Sequence, residues 1–246
     1  MTTSGTAGFN LDLNNIVEEA FERCGKELRS GYDLRTARRS LNLLTVEWAN
    51  RGVNLWTIEQ GSIALNENQA IYDLPVDTID LLEHVTRTGT GQNQQDLAIT
   101  RISVSTYATI PNKNATGRPI QVWVDRQSGA TYPSGGRPQG TDPTNGIDYP
   151  KIYVWPAPDQ SNYYTFVYWR LRRIQDAGNG GMTTQDIPFR FLNCLIAGLS
   201  YYLAQKIAPD RLQTLKMQYD EQWKFATEED RDKSAVRFVP RRYFTE

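Results

Sequence analysis

The feature that most constrains this chain is a change of hydrophobic period: apolar residues recur at three- and four-residue steps at both ends, and at two-residue steps in between. A helix buries a stripe with a period of about 3.6 residues and a strand buries one face with a period of two, so the switch marks a change of element type. Between Asp12 and Leu28, the residues Leu13, Ile16, Val17, Ala20, Phe21, Cys24 and Leu28 share one helical face, with Glu18, Glu19 and Glu22 on the other. Gly25 weakens the last turn or stops the helix there. Ser30-Gly31-Tyr32 links to Asp33, the expected N-cap of a second helix carrying Leu34, Ala37, Leu41, Leu44 and Trp48 and closing at Gly52 in a left-handed cap. These first fifty residues are expected to form a helical hairpin.

From Leu55 to about Arg172 the pattern predicts strands at Gly61 to Leu65, Ala70 to Asp73, Leu81 to Arg87, Leu97 to Val104, Ile120 to Arg126, Lys151 to Trp155 and Tyr163 to Arg172. Asn66-Glu67-Asn68-Gln69 is expected to close a hairpin between the first two. The helical period returns at Thr184, with Asp186 as the expected cap and Pro188 in the first turn before Phe191, Leu192, Leu195, Ile196, Leu199 and Leu203. Pro209 and Asp210 then open a last helix through Leu212, Leu215, Tyr219, Trp223 and Ala226. The expected class is α+β: terminal helical hairpins forming a small helix bundle (11–54 with 182–230), an inserted antiparallel β-rich domain (55–181), and an extended C-terminal tail (231–246).

Two stretches resist a period. Gln127 to Asp148 (127–148) is rich in glycine and proline and reads as a long loop or projecting arm, either a functional element or a plain surface excursion. The segment from Arg231 to Glu246 interleaves basic and aromatic residues. Arg237, Phe238, Pro240, Arg241, Arg242, Tyr243 and Phe244 are the side-chain types that anchor protein interfaces, and docking onto a partner protein is the first expectation. Nucleic-acid contact through stacking and phosphate pairing is the second.

The charge balance limits the partners. With 27 basic and 28 acidic residues the formal net charge is -1, so no global field holds nucleic acid or an anionic membrane, and any DNA contact is local or weak. Cys24 and Cys194 fall on apolar helical faces and form no disulfide framework, which fits a reducing compartment. Neither a signal peptide nor a membrane-embedded segment is expected, because Met1 to Asn10 lacks an apolar stretch and no run of about 18 apolar residues occurs.

Residues that could carry chemistry are sparse. His84 is the only histidine, and strand alternation sends it and Glu83 to opposite faces, so no acid/base pair is expected there. Gly89-Thr90-Gly91-Gln92 lacks the third glycine and the Gly-Lys-Ser/Thr of phosphate-binding loops and reads as a turn. Asp73, Asp77, Asp80 and Glu83 could in principle serve a glycosidase, but their spacing is uninformative. Trp123, Tyr149, Tyr153, Trp155, Tyr163, Tyr164, Phe166, Tyr168 and Trp169 are read as core and cross-strand packing, with a sugar-binding face as the alternative. No catalytic residue, metal-ligand set or cofactor site is read from the sequence.

Several motifs in order carry a resemblance. Gly31-Tyr32-Asp33-Leu34-Arg35-Thr36-Ala37-Arg38-Arg39-Ser40-Leu41-Asn42, then Glu47-Trp48-Ala49-Asn50-Arg51-Gly52 and Leu55-Trp56, resemble the amino-terminal signature of head-to-tail adaptor (connector) proteins of short-tailed bacteriophages. Tyr72-Asp73-Leu74-Pro75 with Asp77 and Leu81, Ile152-Tyr153-Val154-Trp155-Pro156-Ala157-Pro158, and Asp186-Ile187-Pro188 leading to Ala197-Gly198-Leu199, Leu203-Ala204 and Ala208-Pro209 continue the match. The resemblance implies a structural virion protein and no enzyme: a homo-oligomeric ring, usually of twelve copies, at the head-tail junction. It joins the portal protein ring to a downstream tail (nozzle or tail tube) protein and lets DNA through its lumen without sequence-specific binding, and it is assembled in the host cytoplasm. The same resemblance makes Arg231 to Glu246 the portal-docking arm, and the acidic Glu18, Glu19 and Glu22 face is compatible with a lumen that does not grip DNA. A virion-associated cell-wall hydrolase and a carbohydrate-binding tail module are the alternative functions.

Overall fold

The N-terminal helix begins where the side chain of Asp12 can satisfy a free backbone amide: its Oδ1 accepts from Asn15 N–H at 2.8 Å, and α1 runs Leu13–Arg23. Gly25 settles where it ends. At φ +71° this residue takes the left-handed conformation, and Lys26 N–H closes on Phe21 O at 3.0 Å, so Leu28 lies beyond the helix. These features come from a computed structural model that describes residues 3–52, 55–130, 147–178 and 182–230.

α2 spans Gly31–Asn50, and its N-cap is Ser30, not Asp33. Asp33 sits three positions into the helix, where its carboxylate accepts from Ser30 N–H (3.1 Å) while Ser30 Oγ accepts from Asp33 N–H (3.3 Å). Two amide donors are thus satisfied reciprocally, which a cap at Asp33 would not achieve. Gly52 is left-handed at φ +77°, as its position predicts.

The chain divides into two compact units, one drawn from Met1–Val53 and Gln175–Glu246, the other from Asn54–Ile174. In the first, α4 (Leu192–Ile207) is the hub, and α1, α2 and α5 (Leu212–Glu229) all pack on it. Leu192, Cys194, Leu195, Ile196, Ala197, Gly198, Leu199, Ser200, Leu203 and Ala204 are all buried, the mark of a helix packed on several neighbours at once. α1 and α2 touch each other only slightly, so each is held by α4 more than by its hairpin partner. Gly198 permits the closest approach. A Cβ there would come within 2.8 Å of Leu44 and 3.0 Å of Tyr219, from α2 and α5. Asp186 does not cap α4: a 3-10 turn at Phe189–Phe191 leads into the helix, and the Asp186 carboxylate accepts from Gln175 N–H at 3.2 Å.

The second unit is built from two four-stranded sheets around one core. The first contains β1 (Ile58–Ala64), β3 (Thr78–Thr88), β4 (Gln95–Ala98) and β8 (Tyr164–Arg172) in the order β1-β8-β3-β4, all antiparallel. The second contains β2 (Ile71–Asp73), β5 (Thr100–Arg101), β6 (Gln121–Asp125) and β7 (Lys151–Trp155) in the order β2-β7-β6-β5, and its β5–β6 pair is parallel. Leu65, Tyr72, Leu81, Val122, Val124, Ile152, Val154, Tyr164, Phe166 and Tyr168 bury one face of each sheet against the other.

Two expectations about pairing are overturned. The turn at Asn66 to Gln69 forms, with Asn68 at φ +59° and Gln69 N–H on Asn66 O (3.2 Å), but β1 pairs with β8 and β2 with β7. The turn carries the chain between sheets because Leu65 before it and Tyr72 after it both enter the common core, and the Tyr72 hydroxyl spans it, accepting from Asn66 N–H at 2.8 Å. The strand expected over Leu97 to Val104 is broken at buried Ile99, so that β4 joins one sheet and β5 the other. Ser103 then caps a short helix, α3 (Val104–Ala108), its Oγ accepting from Thr106 N–H at 3.2 Å.

Candidate functional site

The residues with chemical potential are engaged in structure. Asp77 accepts from Arg170 at 2.5 Å, Asp80 from Arg101 at 2.8 Å, and Asp73 lies 3.6 Å from Lys151 Nζ, so these carboxylates serve as counter-ions within the β unit. Glu83 is exposed. The His84 ring lies 5.8 Å from that of Phe166, and both its nitrogens are buried without a hydrogen-bond partner among the described residues. Burial first, and then the nearby Arg101 charge, hold its pKa below the usual histidine value, against a smaller opposing effect of Glu83. A neutral, unoriented imidazole of this kind has no partner to make it a base. Gly89 and Gly91, both at positive φ, form the turn from β3 to β4.

Aromatic residues divide between core and outer face. Tyr164, Phe166 and Tyr168 are in the β core, while Trp123 and Tyr153 meet at 4.5 Å in a tilted pair on the other face of their sheet, with Tyr107 of α3 stacked on Trp123 at 5.4 Å. Both cysteines are buried; burial pushes the Cys24 thiol up to about 11 and the Cys194 thiol to about 12, so neither is a reactive thiolate at neutral pH.

Surfaces, more than pockets, are what the helical unit holds rigid. The motif Glu47-Trp48 through Arg51 on α2 makes the central fastening. Trp48 is fully buried, donates from Nε1 to the Tyr219 hydroxyl at 2.9 Å, and lies 5.6 Å from Phe191 and 5.5 Å from Trp223. Glu47 accepts from the hydroxyls of Tyr202 (2.6 Å) and Tyr219 (3.3 Å) and pairs with Arg51, whose guanidinium lies 4.6 Å over the Trp223 ring. Three helices are thereby locked in register by one polar-aromatic network.

Two outward faces result. On α1, Glu18 and Glu22 are exposed one turn apart, while Glu19 is paired to Arg23 at 2.9 Å. They border a groove of about 600 Å³ whose apolar lining comes from Phe9, Leu11, Leu192 and Ile196. On α2, Tyr32, Arg35, Arg39, Leu43 and Val46 form an exposed stripe opposite the buried Ala37, Leu41, Leu44 and Trp48. Leu43 is 53% and Val46 49% exposed, so the stripe carries apolar as well as basic side chains.

The arms differ in what can be described. Where the Gln127 to Asp148 arm leaves the β unit, Gly129 N–H bonds to Asp148 O (3.0 Å) and Asp148 N–H to Ala130 O (2.9 Å), which closes its base; 131–146 lie outside the described residues. Asp230, at the root of the C-terminal segment, is ion-paired with Arg190 beside the start of α4. Arg237, Phe238, Pro240, Arg241, Arg242, Tyr243 and Phe244 also lie outside the described residues.

The profile of the SU10 adaptor protein family matches residues 16–241, nearly the whole chain. The chain belongs to the SU10 adaptor protein family. This is a family of phage head-tail adaptors, so the resemblance drawn from the motifs holds; the observed helices and antiparallel sheets bear out the α+β class. Comparison with curated proteins gives no match. Among the described residues of this SU10 adaptor family member, no cluster of three or more His, Cys, Asp or Glu could hold a metal ion, and no helix is long and apolar enough to cross a membrane. Sequence reasoning missed the α2 stripe. Its signal was present in Leu43 and Val46, which stand at positions where the helical period calls for polar residues.

Proposed function

We propose that this phage adaptor is the subunit of a ring, of twelve copies, that joins the portal protein to the downstream tail protein and contributes a section of the DNA ejection channel. The family match over residues 16–241 carries this reading. Supporting it, the helical unit presents two distinct rigid faces, which is what a subunit needs to contact a neighbour on either side of a closed ring. The near-neutral balance, 27 basic against 28 acidic residues, suits a conduit that passes DNA without retaining it. The protein acts as a structural component of the virion at the head-tail junction, after assembly in the host cytoplasm, with no cofactor and no catalytic step.

In this reading Arg231 to Glu246 is the portal-docking arm, with Arg237, Arg241 and Arg242 supplying charge and Phe238, Tyr243 and Phe244 the apolar anchors. A tail that docks only on the portal makes assembly sequential, with subunits joining one another on the portal and not in free solution. Light scattering on the chain mixed with the portal ring of the same phage tests this. The full-length chain is expected to join the portal in the ring's stoichiometry, and a chain ending at Asp230 to fail. Failure of the full-length chain to bind would remove the adaptor reading, and stable rings of the isolated protein would remove sequential assembly.

A further inference from the structure

We infer that the exposed stripe of α2 on one subunit docks into the α1/α4 groove of a second copy, antiparallel to α1, with Arg35 on Glu22 and Arg39 on Glu18. This rests on the ring reading and supplies its lateral contact. The two faces are opposite in charge and equal in spacing. Glu18 and Glu22 are one helical turn apart on α1, as Arg35 and Arg39 are on α2, so each pair repeats at about 6 Å. All four side chains are exposed, and none has a charged partner among the described residues.

Direction follows from where the apolar residues lie. On α2, Leu43 and Val46 follow the arginines toward the C-terminus; on α1 the apolar part of the groove, Leu11 and Phe9 with Leu192, precedes the glutamates toward the N-terminus. Only the antiparallel arrangement places Leu43 and Val46 over that apolar floor while the charges pair; the parallel one carries them past Gly25, where α1 has ended. The stripe from Tyr32 to Val46 is about 21 Å long, comparable to α1 with its preceding residues. The two surfaces belong to different faces of one rigid unit, so the contact is heterologous, and such contacts propagate around a ring. A net charge of -1 sets no general repulsion against it. Glu18 and Glu22 then lie between subunits, not on the lumen.

Charge reversal on the full-length chain tests the pairing, with folding checked by circular dichroism. Arg35→Glu with Arg39→Glu, and separately Glu18→Arg with Glu22→Arg, are each expected to lose ring completion on the portal. Their equimolar mixture is expected to restore it, because an even-numbered ring can alternate the two. A short bifunctional thiol cross-linker supplies a second readout: Glu18→Cys combined with Arg39→Cys should give a ladder of linked copies on the portal, and Glu18→Cys with Arg35→Cys should not. If wild type loads the portal and the reversed variants load equally, this contact is wrong while the adaptor reading stands. Cross-links to the portal or tail protein in place of a ladder would assign the groove another occupant and overturn the proposal. Wild type failing to load would instead sink the adaptor reading itself.

Discussion

The helical and β units solve the same burial problem with opposite distributions of load. In the helical unit one central helix and one network, Glu47, Trp48, Arg51, Tyr202, Tyr219 and Trp223, hold α2, α4 and α5 together. In the β unit the backbone ladders of two sheets share the load with a core of many side chains, and ion pairs such as Arg170 with Asp77 and Glu59 tie strand to strand. A concentrated fastening is more vulnerable to a single truncation than a distributed one. It also leaves the outward faces of the helices free for use, which suits the proposed contact between copies.

Trp48→Ala should break that contrast most directly. Removing a fully buried ring that reaches three aromatic neighbours is expected to cost about 3–5 kcal/mol by denaturant unfolding, with lost hydrogen-exchange protection spread over α2, α4 and α5. Loss confined to α2 would show that the fastening is not shared. A matched pair of glycine replacements sharpens the comparison at the next level. A Cβ at Gly61 would lie 2.5 Å from the Tyr168 ring across the β1–β8 ladder, so Gly61→Ala should cost about 1–3 kcal/mol. Gly198→Ala meets the flexible end of Leu44 at 2.8 Å and the Tyr219 ring at 3.0 Å but gains up to about 1 kcal/mol of helix propensity, so thermal unfolding should find it the milder of the two. The reverse order would mean that α4 has no room to give.

One group in each unit should respond at opposite ends of the pH scale. Burial, with Glu47 as its hydrogen-bond acceptor, pushes the Tyr202 hydroxyl up to about 12. Its contribution is full below the unfolded tyrosine value near ~10 and is lost as pH rises from there toward 12. Tyr202→Phe should therefore cost about 1 kcal/mol at pH 7 and reduce the loss of stability in that alkaline window. His84 works the other way. Its lowered value favours the neutral ring in the fold, so its contribution is full above the unfolded value of ~6.5 and is lost as pH falls through the lower folded value. His84→Gln should flatten the acid side of the β unit's stability curve just below ~6.5 by the smallest margin of these variants; an unchanged slope would show that the ring is not the group responsible.

How much of this was legible depended on the range of the interaction. Helices α1, α2, α4 and α5 followed from a period that local geometry imposes, and the cap at Gly52 from a single residue. Ser30 was passed over because a capping box requires two residues read together, and Ser30 with Asp33 also satisfies the simpler pattern of a lone aspartate cap. The strands Ile71–Asp73, Lys151–Trp155 and Tyr164–Arg172 were visible as alternation, but alternation does not say which sheet a strand joins. The same limit hid the α2 stripe, since Leu43 and Val46 become notable only once the core is seen to be complete without them.

The amino-acid sequence by itself determined the α+β class, the order of helical and β segments and the membership of a phage adaptor family, because each is written in periodicity and in ordered motifs along the chain. Tertiary structure alone decided the role of α4 as hub, the crossing at Asn66 to Gln69, the parallel β5–β6 pair and the geometry of the two outward faces. Those depend on which surfaces meet, and pairing between residues a hundred or more positions apart, such as Trp48 with Tyr219, is fixed by packing of the whole core and not by any local preference.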